Sequence, residues 1–148
     1  MKIRGMLIND YSSVYALWKN TPGMGLNSLD DSRDGISRFL NRNPSTCLVA
    51  EKEGNIVGVI LSGHDGRRGF IYHLCVHRSH RRMGLGTLLV NEALENLRLL
   101  GIAKTACVVF SHNETGNSFW QRMGFSLRED LAYRDKVITE KNMTRIDT

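Results

Sequence analysis

The pattern of apolar and polar positions divides the chain into short strand-like and helix-like segments. It predicts strands over residues 2–7, 47–52, 56–63, 70–76, 103–110, 126–129 and 132–136. It predicts helices over about 10–19, from a cap within 28–31 to Asn43-Pro44, over 87–100 and over 115–123. Three antiparallel strands leading into a strand–helix–strand unit favour a mixed α/β sandwich.

The join between the segments 70–76 and 87–100 carries the strongest chemical signal. Phe70–Val76 is apolar and aromatic with little alternation, which predicts a strand buried on both faces. Gly84 and Gly86 leave their amides accessible, and the first amides of a helix have no intrahelical partners and attract negative charge. The loop adds three arginines, Arg78, Arg81 and Arg82. The join therefore resembles a cradle for phosphate, and the alternative is a tight turn with solvated arginines.

Composition and length narrow the class of protein. A chain of 148 residues predicts one domain over 1–148, with a polar tail at about 140–148 that is expected to fray. No apolar run approaches about 20 residues and no secretory signal is visible, so we expect a cytoplasmic protein without a membrane partner. Cys47, Cys75 and Cys107 lie in strand-like segments, which predicts free thiols. The net charge of +5 favours an anionic partner.

Two stretches of the sequence resemble a known family. Arg81-Arg82-Met83-Gly84-Leu85-Gly86 resembles the R/Q-x-x-G-x-G/A signature of the GNAT acetyltransferases. Asn113–Phe125, with its asparagine, aromatic pair and Gly-Phe ending, is similar to the second landmark of that family. The two occur in the family's order, and the resemblance covers nearly the whole chain. Gly63–Gly69 is similar to a small, single-domain bacterial branch of the family.

The resemblance implies a fold and a cofactor. The implied fold is an α/β GNAT-like mixed, largely antiparallel central sheet, splayed between its fourth and fifth strands near Val76 and Phe110 and flanked by about four helices. Acetyl-CoA is the implied co-substrate, with its pantetheine arm in the splay and the Val76 amide polarising the thioester oxygen. No metal is expected. The implied cofactor-binding residues are Leu74, Cys75, Val76, Arg81, Arg82, Met83, Gly84, Leu85, Gly86, Thr87, Asn113, Phe119 and Trp120.

The implied activity is acetyl transfer to a primary amine, of a small molecule or of a peptide or protein N-terminus, by direct attack in a ternary complex. His73 is the candidate base because an unperturbed imidazole has a pKa of about 6.5; the alternative is a histidine that fills a polar niche. Tyr72 is a second polar candidate. The sequence shows no acidic partner near His73 or the neighbouring loop histidines, His77 and His80. Trp120 stands where many family members have an acidic tyrosine, and an indole cannot serve as that acid.

The acceptor site is expected between the first two helices and their connector. Trp18, Met24, Leu26 and Leu29 are the candidate lining residues, with core packing as the alternative for Trp18. The glycines that flank Met24 and Leu26 predict a mobile, lid-like loop. The sequence does not identify the amine, and it leaves a monomer and a homodimer both open.

Two other functions compete with catalysis. The missing tyrosine leaves open a non-catalytic domain that binds acyl-CoA as a sensor. A basic module that binds nucleic acid is disfavoured, because no exposed aromatic residues are interleaved with the arginines, and we therefore expect no nucleic-acid partner.

Overall fold

Four helices and seven strands make up the fold in the computed structural model, which describes all residues 1–148. The helices are α1 (Tyr11–Lys19), α2 (Arg33–Arg42), α3 (Leu85–Leu99) and α4 (Glu114–Arg122). The strands are β1 (Lys2–Gly5), β2 (Leu26–Asn27), β3 (Leu48–Lys52), β4 (Asn55–His64), β5 (Gly69–Val76), β6 (Thr105–Cys107) and β7 (Arg145–Ile146). None of the helices is long and apolar enough to cross a membrane.

The main sheet opens between β5 and β6. Its order is β1-β3-β4-β5-β6; the first four strands pair antiparallel, and β6 pairs parallel to β5. The β5–β6 pairing runs from Gly69↔Thr105 to Ile71↔Cys107 and then stops, so the C-terminal half of β5 has a free edge. This confirms the splay between the fourth and fifth strands of the sheet. The strand predicted over 103–110 is correspondingly shorter, since only Thr105–Cys107 finds a partner.

A β-bulge at Tyr72–His73 sets the direction of the side chains on β5. Ile60 pairs with Leu74 and Ser62 with Ile71, so three steps on β5 oppose two on β4. Ile71 therefore packs toward α3 and Cys75 toward α1. Tyr72 is 56% exposed, so the prediction of a strand buried on both faces is wrong at this position.

Two hydrophobic clusters lie on opposite faces of the sheet. One joins the sheet to α1 and α2; the other joins it to α3 and is flanked by α4. Fully buried members from the helices are Val14, Trp18 and Ile36 on the first face and Leu89, Val90 and Ala93 on the second. The strands that form the site are thus held from both sides.

Gly35 explains how α2 meets the connector that precedes it. Ser32 caps the helix by accepting the Gly35 N–H at 3.0 Å. Gly35 is buried, and a Cβ there would overlap the carbonyl oxygens of Leu29 and Asp30. Glycine has a low helix propensity, but packing against the connector requires it at position 35.

We expect Gly35→Ala to lower the free energy of unfolding by about 1–2 kcal/mol, because overpacking outweighs the roughly 1 kcal/mol gain in helix propensity. Urea denaturation measures the change. Gly86→Ala is the control, since a Cβ there meets only the Phe119 ring at an ordinary 3.5 Å. A Gly35→Ala protein as stable as the parent would contradict the packing argument.

The C-terminal segment differs from the sequence prediction in two ways. The strands predicted over 126–129 and 132–136 are wrong: these residues form no strands, and β6 is too short to offer them a ladder partner. The tail is not frayed, because Arg145–Ile146 pairs with Leu26–Asn27 and Ile146 packs against the first cluster.

Candidate active site

The start of α3 forms an open concave turn of the backbone. Arg82 and Gly84 adopt left-handed conformations, with φ of +62° and +77°, and α3 begins at Leu85. No side chain caps the helix, so its first amides have no partner within the protein. A Cβ at Gly84 would meet no protein atom within 4 Å, so the turn faces open space. We call the turn formed by residues 82–87 the cradle.

The cradle is positively charged and free of counter-ions. Arg78, Arg81 and Arg82 are exposed, and none of them forms an ion pair. Arg81 Nε donates to the Val76 carbonyl at 3.0 Å, which ties the loop to the end of β5. Met83 and Thr87 are also exposed. The arginines and the helix dipole act in the same direction and favour an anion of at least two charges.

The wall beside the cradle is built by α4. The Phe119 ring lies 3.5 Å from the position of a Cβ on Gly86. Trp120 packs edge-on against Phe119 and Phe125, with ring centroids 5.2 and 4.8 Å away. Asn113 Oδ1 accepts the Gly116 N–H at 2.9 Å and so caps α4. Phe119 therefore lies beside the cradle, Trp120 is in a packing position next to it, and Asn113 holds the start of the same helix.

The free edge of β5 presents the backbone of Leu74 and Val76. The His77 N–H donates to the Val57 carbonyl at 2.8 Å, so by strand alternation Cys75 also pairs with β4 while Leu74 and Val76 point away from it. The backbone groups of Cys75 point toward β4 and its side chain is buried, so neither is accessible at the free edge. The prediction that Cys75 contacts the cofactor is therefore wrong. The Val76 N–H is free on this edge, as an oxyanion donor requires.

The three cysteines are free neutral thiols. Burial raises the pKa of Cys47 to about 12 and that of Cys107 to about 11. Burial also raises the pKa of Cys75, partly offset by the Thr21 hydroxyl 3.2 Å from its sulfur. None of them supplies a thiolate nucleophile near neutral pH.

His73 and Asp31 form a buried pair on the α1 face of β5. His73 Nε2 lies 2.7 Å from Asp31 Oδ1, and the two residues are 8% and 5% exposed. The Trp18 ring packs edge-on against the imidazole with centroids 5.0 Å apart. The expectation that no acidic partner stands beside the histidines is wrong for His73. Asp31 is 42 residues away in sequence, within a run that reads as helix caps, and no local signal marks it.

The other histidines of this region have different surroundings. Ser79 Oγ lies 2.6 Å from His77 Nδ1 and 2.8 Å from His80 Nδ1 in the exposed loop before the cradle. Nowhere in the chain do three or more His, Cys, Asp or Glu side chains converge as a metal site would require.

Tyr72 lies on the surface beside two other aromatic residues. Its ring contacts Phe70 and Phe39, with centroids 4.7 and 5.5 Å apart. Burial, and then the nearby Tyr133 and Asp30, raise the pKa of the Tyr72 phenol. The phenol therefore stays protonated at neutral pH and can donate a proton or hydrogen bond but cannot act as a base.

The predicted acceptor residues divide into two groups. Trp18 and Leu26 are core residues, 0% and 2% exposed, so the prediction that they line the acceptor site is wrong and core packing is their role. Met24 and Leu29 are half-buried and remain candidates. The connector is not a free lid, because β2 pairs with β7 and the Met24 N–H donates to Thr148 Oγ1 at 3.2 Å.

The splayed mixed sheet and the cradle together define an α/β fold in which an anion-attracting helix start lies beside a free strand edge. The model of the acetyltransferase (GNAT) family matches residues 11–125, and the chain belongs to this family. It is an N-acetyltransferase of the GNAT type, as the two sequence landmarks predicted.

Bacterial relatives align over almost the whole chain. An acetyltransferase of Sodalis glossinidius is 30% identical over 140 residues, covering 95% of this chain and 97% of the relative. An acetyltransferase of Yersinia pseudotuberculosis is 28% identical over 141 residues, covering 95% and 99%.

Solved structures confirm the fold. Ard1 from Thermoplasma volcanium superposes with a TM-score of 0.74 at 23% identity, covering 86% of this chain and 83% of that one. The PaiA N-acetyltransferase from Thermoplasma acidophilum, solved in complex with coenzyme A, gives 0.75 at 19% identity, covering 86% and 90%. The family uses acetyl-CoA as its acetyl donor.

Proposed function

We propose that residues 1–148 form a single acetyltransferase domain that moves an acetyl group from acetyl-CoA to a primary amine, of a small molecule or of a peptide or protein N-terminus. The observation that carries the proposal is that the unpaired edge of β5 ends at the uncapped, arginine-flanked start of α3. A ligand with an amide-rich arm and a diphosphate matches both features at once.

The residues of this site fit acetyl-CoA. The amides of residues 84–87 and the flanking Arg81 and Arg82 would hold its pyrophosphate, since Gly84 leaves the cradle open. Leu74 would pair with its pantetheine arm through its outward backbone groups. The Val76 carbonyl already accepts from Arg81 Nε, so Val76 offers its N–H. When bound, acetyl-CoA supplies the acetyl group as a thioester. The Val76 N–H would donate to the oxygen on which negative charge develops.

Transfer is direct, because the chain offers no activated thiol. All three cysteines have raised pKa values, and Cys75, the one on β5, faces away from the open edge. His73 is the group that can take the proton of the attacking amine. Holding the two substrates together supplies up to about 7–11 kcal/mol of the barrier reduction.

The departing thiolate needs no protein acid. Trp120 is held in an aromatic cluster and its indole N–H does not ionise near neutral pH. A thiol has a pKa of about 8.5, so the thiolate is an acceptable leaving group. Tyr72 is the one exposed phenol on β5, and it is protonated. It would contact the acceptor by hydrogen bonding and would not act as the base.

Thermal unfolding with and without acetyl-CoA tests the proposal. At about 100-fold excess over the dissociation constant, binding adds about 2.7 kcal/mol, a rise in Tm of roughly 5–10 °C. Free coenzyme A should give a similar shift and ATP, which lacks the arm, a small one. Amine acetylation is then followed by thiol release, with peptide N-termini first. Binding without turnover on any amine would favour the sensor function, and no shift at millimolar acetyl-CoA would overturn the proposal.

A further inference from the structure

The Asp31–His73 pair is the one buried ionisable cluster that the family assignment does not explain. We propose that Asp31 is a positioning residue for His73, which holds the imidazole so that Nδ1 is left as the proton acceptor of the acetyl-transfer reaction. The inference rests on the proposed function, because it gives a role to the base of that reaction.

The contacts of Asp31 fix its carboxylate from two sides. Its Oδ1 lies 2.7 Å from His73 Nε2, and its Oδ2 accepts the Asn27 N–H at 2.8 Å. The Tyr11 hydroxyl donates to the Asp31 backbone carbonyl at 2.7 Å. The carboxylate therefore has donors on both oxygens and little freedom to rotate.

This arrangement selects one tautomer of the imidazole. An ionised carboxylate only accepts hydrogen bonds, so the ring proton sits on Nε2. His73 Nδ1 is buried and has no hydrogen-bond partner in the protein. A proton on Nδ1 would leave a buried N–H unpaired, which costs about 1–3 kcal/mol. In the neutral ring, Nδ1 is thus a lone-pair acceptor.

A second unpaired polar atom lies close by. Trp18 Nε1 is also buried without a partner, and its ring packs edge-on against the imidazole at 5.0 Å. Two unpaired polar atoms in one buried place are unusual for a purely structural histidine. The indole N–H is a donor and Nδ1 is an acceptor, so a single water between them would pair both atoms and relay the amine proton to Nδ1, which is itself buried.

The C-terminal strand holds the connector from which Asp31 reaches His73. β7 pairs with Leu26–Asn27, and Ser28 exchanges hydrogen bonds with Thr144, its N–H donating at 2.9 Å and its Oγ accepting at 2.8 Å. The backbone N–H of Asn27 in turn donates to Asp31 Oδ2. The tail thus supports the carboxylate through one intermediate residue.

The proton transfer balances with these groups alone. As the amine attacks, its N–C bond forms, the C–S bond of the thioester breaks, and the amine proton passes through the relaying water to His73 Nδ1. The electron pair of the C–S bond leaves on the coenzyme sulfur. The imidazolium that forms has the Asp31 carboxylate at 2.7 Å to compensate its charge.

Asp31→Asn tests the inference, with Asp34→Asn as the matched control. Asp34 is an exposed acid in the first turn of α2 that makes no side-chain hydrogen bond or ion pair. We expect Asp31→Asn to lower kcat about 10- to 100-fold with KM for acetyl-CoA within twofold, since a general base contributes at most about 10²–10⁴-fold. Asp34→Asn should leave kcat unchanged.

A second readout does not depend on activity. The ¹⁵N spectrum of the imidazoles, with His73 assigned by its absence in His73→Gln, reports which ring nitrogen carries the proton. The parent should show protonated Nε2 and unprotonated Nδ1, and Asp31→Asn should show a mixture of the two tautomers. Asp31→Glu, which restores a carboxylate, should recover part of kcat and the parent tautomer.

The outcomes separate this inference from the proposed function. If no amine is acetylated by the parent, the proposed function fails and the tautomer measurement still decides whether Asp31 positions His73. If Asp31→Asn keeps both kcat and the tautomer of the parent, the inference is overturned. If Asp31→Asn does not fold, two other measurements decide the inference: the tautomer of His73 in the parent and kcat of Asp31→Glu. A proton on Nδ1 in the parent overturns the inference.

Discussion

Gly84→Glu is expected to abolish binding of acetyl-CoA, with the dissociation constant raised more than about 100-fold, equivalent to about 2.7 kcal/mol. The added side chain would enter the cradle, because nothing in the protein occupies the space in front of Gly84. Its carboxylate would then stand where the amides of α3 and the arginines favour a diphosphate. Calorimetric titration with acetyl-CoA measures the loss.

Gly84→Gln is the matched control for this experiment. Both variants place an L residue of similar size at a φ of +77°, at a cost of roughly 1–2 kcal/mol, so they share the backbone strain and the bulk. They differ in charge alone, and a glutamate near a helix N-terminus adds about 0.3–1 kcal/mol to the stability of the unliganded protein. We expect Gly84→Gln to bind measurably more tightly than Gly84→Glu. Equal affinities in the two variants would contradict an electrostatic cradle, and parent-like binding in both would contradict its location.

The parts of the site that were predicted from the sequence are those encoded locally. The cradle and the arginine before it form a run of consecutive residues, 81–87, whose glycine spacing and charge have the same meaning in any fold that places a helix after them. The ends of α3 and α4 were predicted for the same reason, since Gly101 and Gly124 adopt the left-handed conformation that ends a helix.

The parts that were missed depend on contacts between distant segments. The bulge at Tyr72–His73 is a property of the β4–β5 register, and it places His73 on the face where Asp31 arrives from 42 residues away. A glycine inside a helix lowers helix propensity, and the packing role of Gly35 is not visible in the sequence because its neighbours are carbonyl groups of the connector. The docking of Ile146 was missed because a short polar tail with only two apolar residues, Met143 and Ile146, has no periodicity to detect.

The two faces of β5 carry different groups. The α3 face holds the cradle and the residues that would bind the coenzyme, and the α1 face holds His73, Asp31 and the connector. A substitution on one face should therefore change the kinetic constants of one substrate or step and leave the other unchanged. Gly84→Glu changes the α3 face, and His73→Gln changes the α1 face.

His73→Gln is expected to lower kcat about 100-fold or more while KM for acetyl-CoA changes less than twofold, because a general base contributes about 10²–10⁴-fold to the rate. The glutamine amide N–H can still donate to Asp31, so the buried carboxylate keeps a partner and the fold is retained. Initial rates at saturating acetyl-CoA measure kcat. His64→Gln is the control, since His64 lies at the end of β4 and its Nδ1 only accepts the Gly66 N–H of a turn at 3.0 Å. A parent-like kcat in His73→Gln would mean that His73 has a structural role only. Tyr72 could not replace it as the base, because its phenol is protonated at neutral pH.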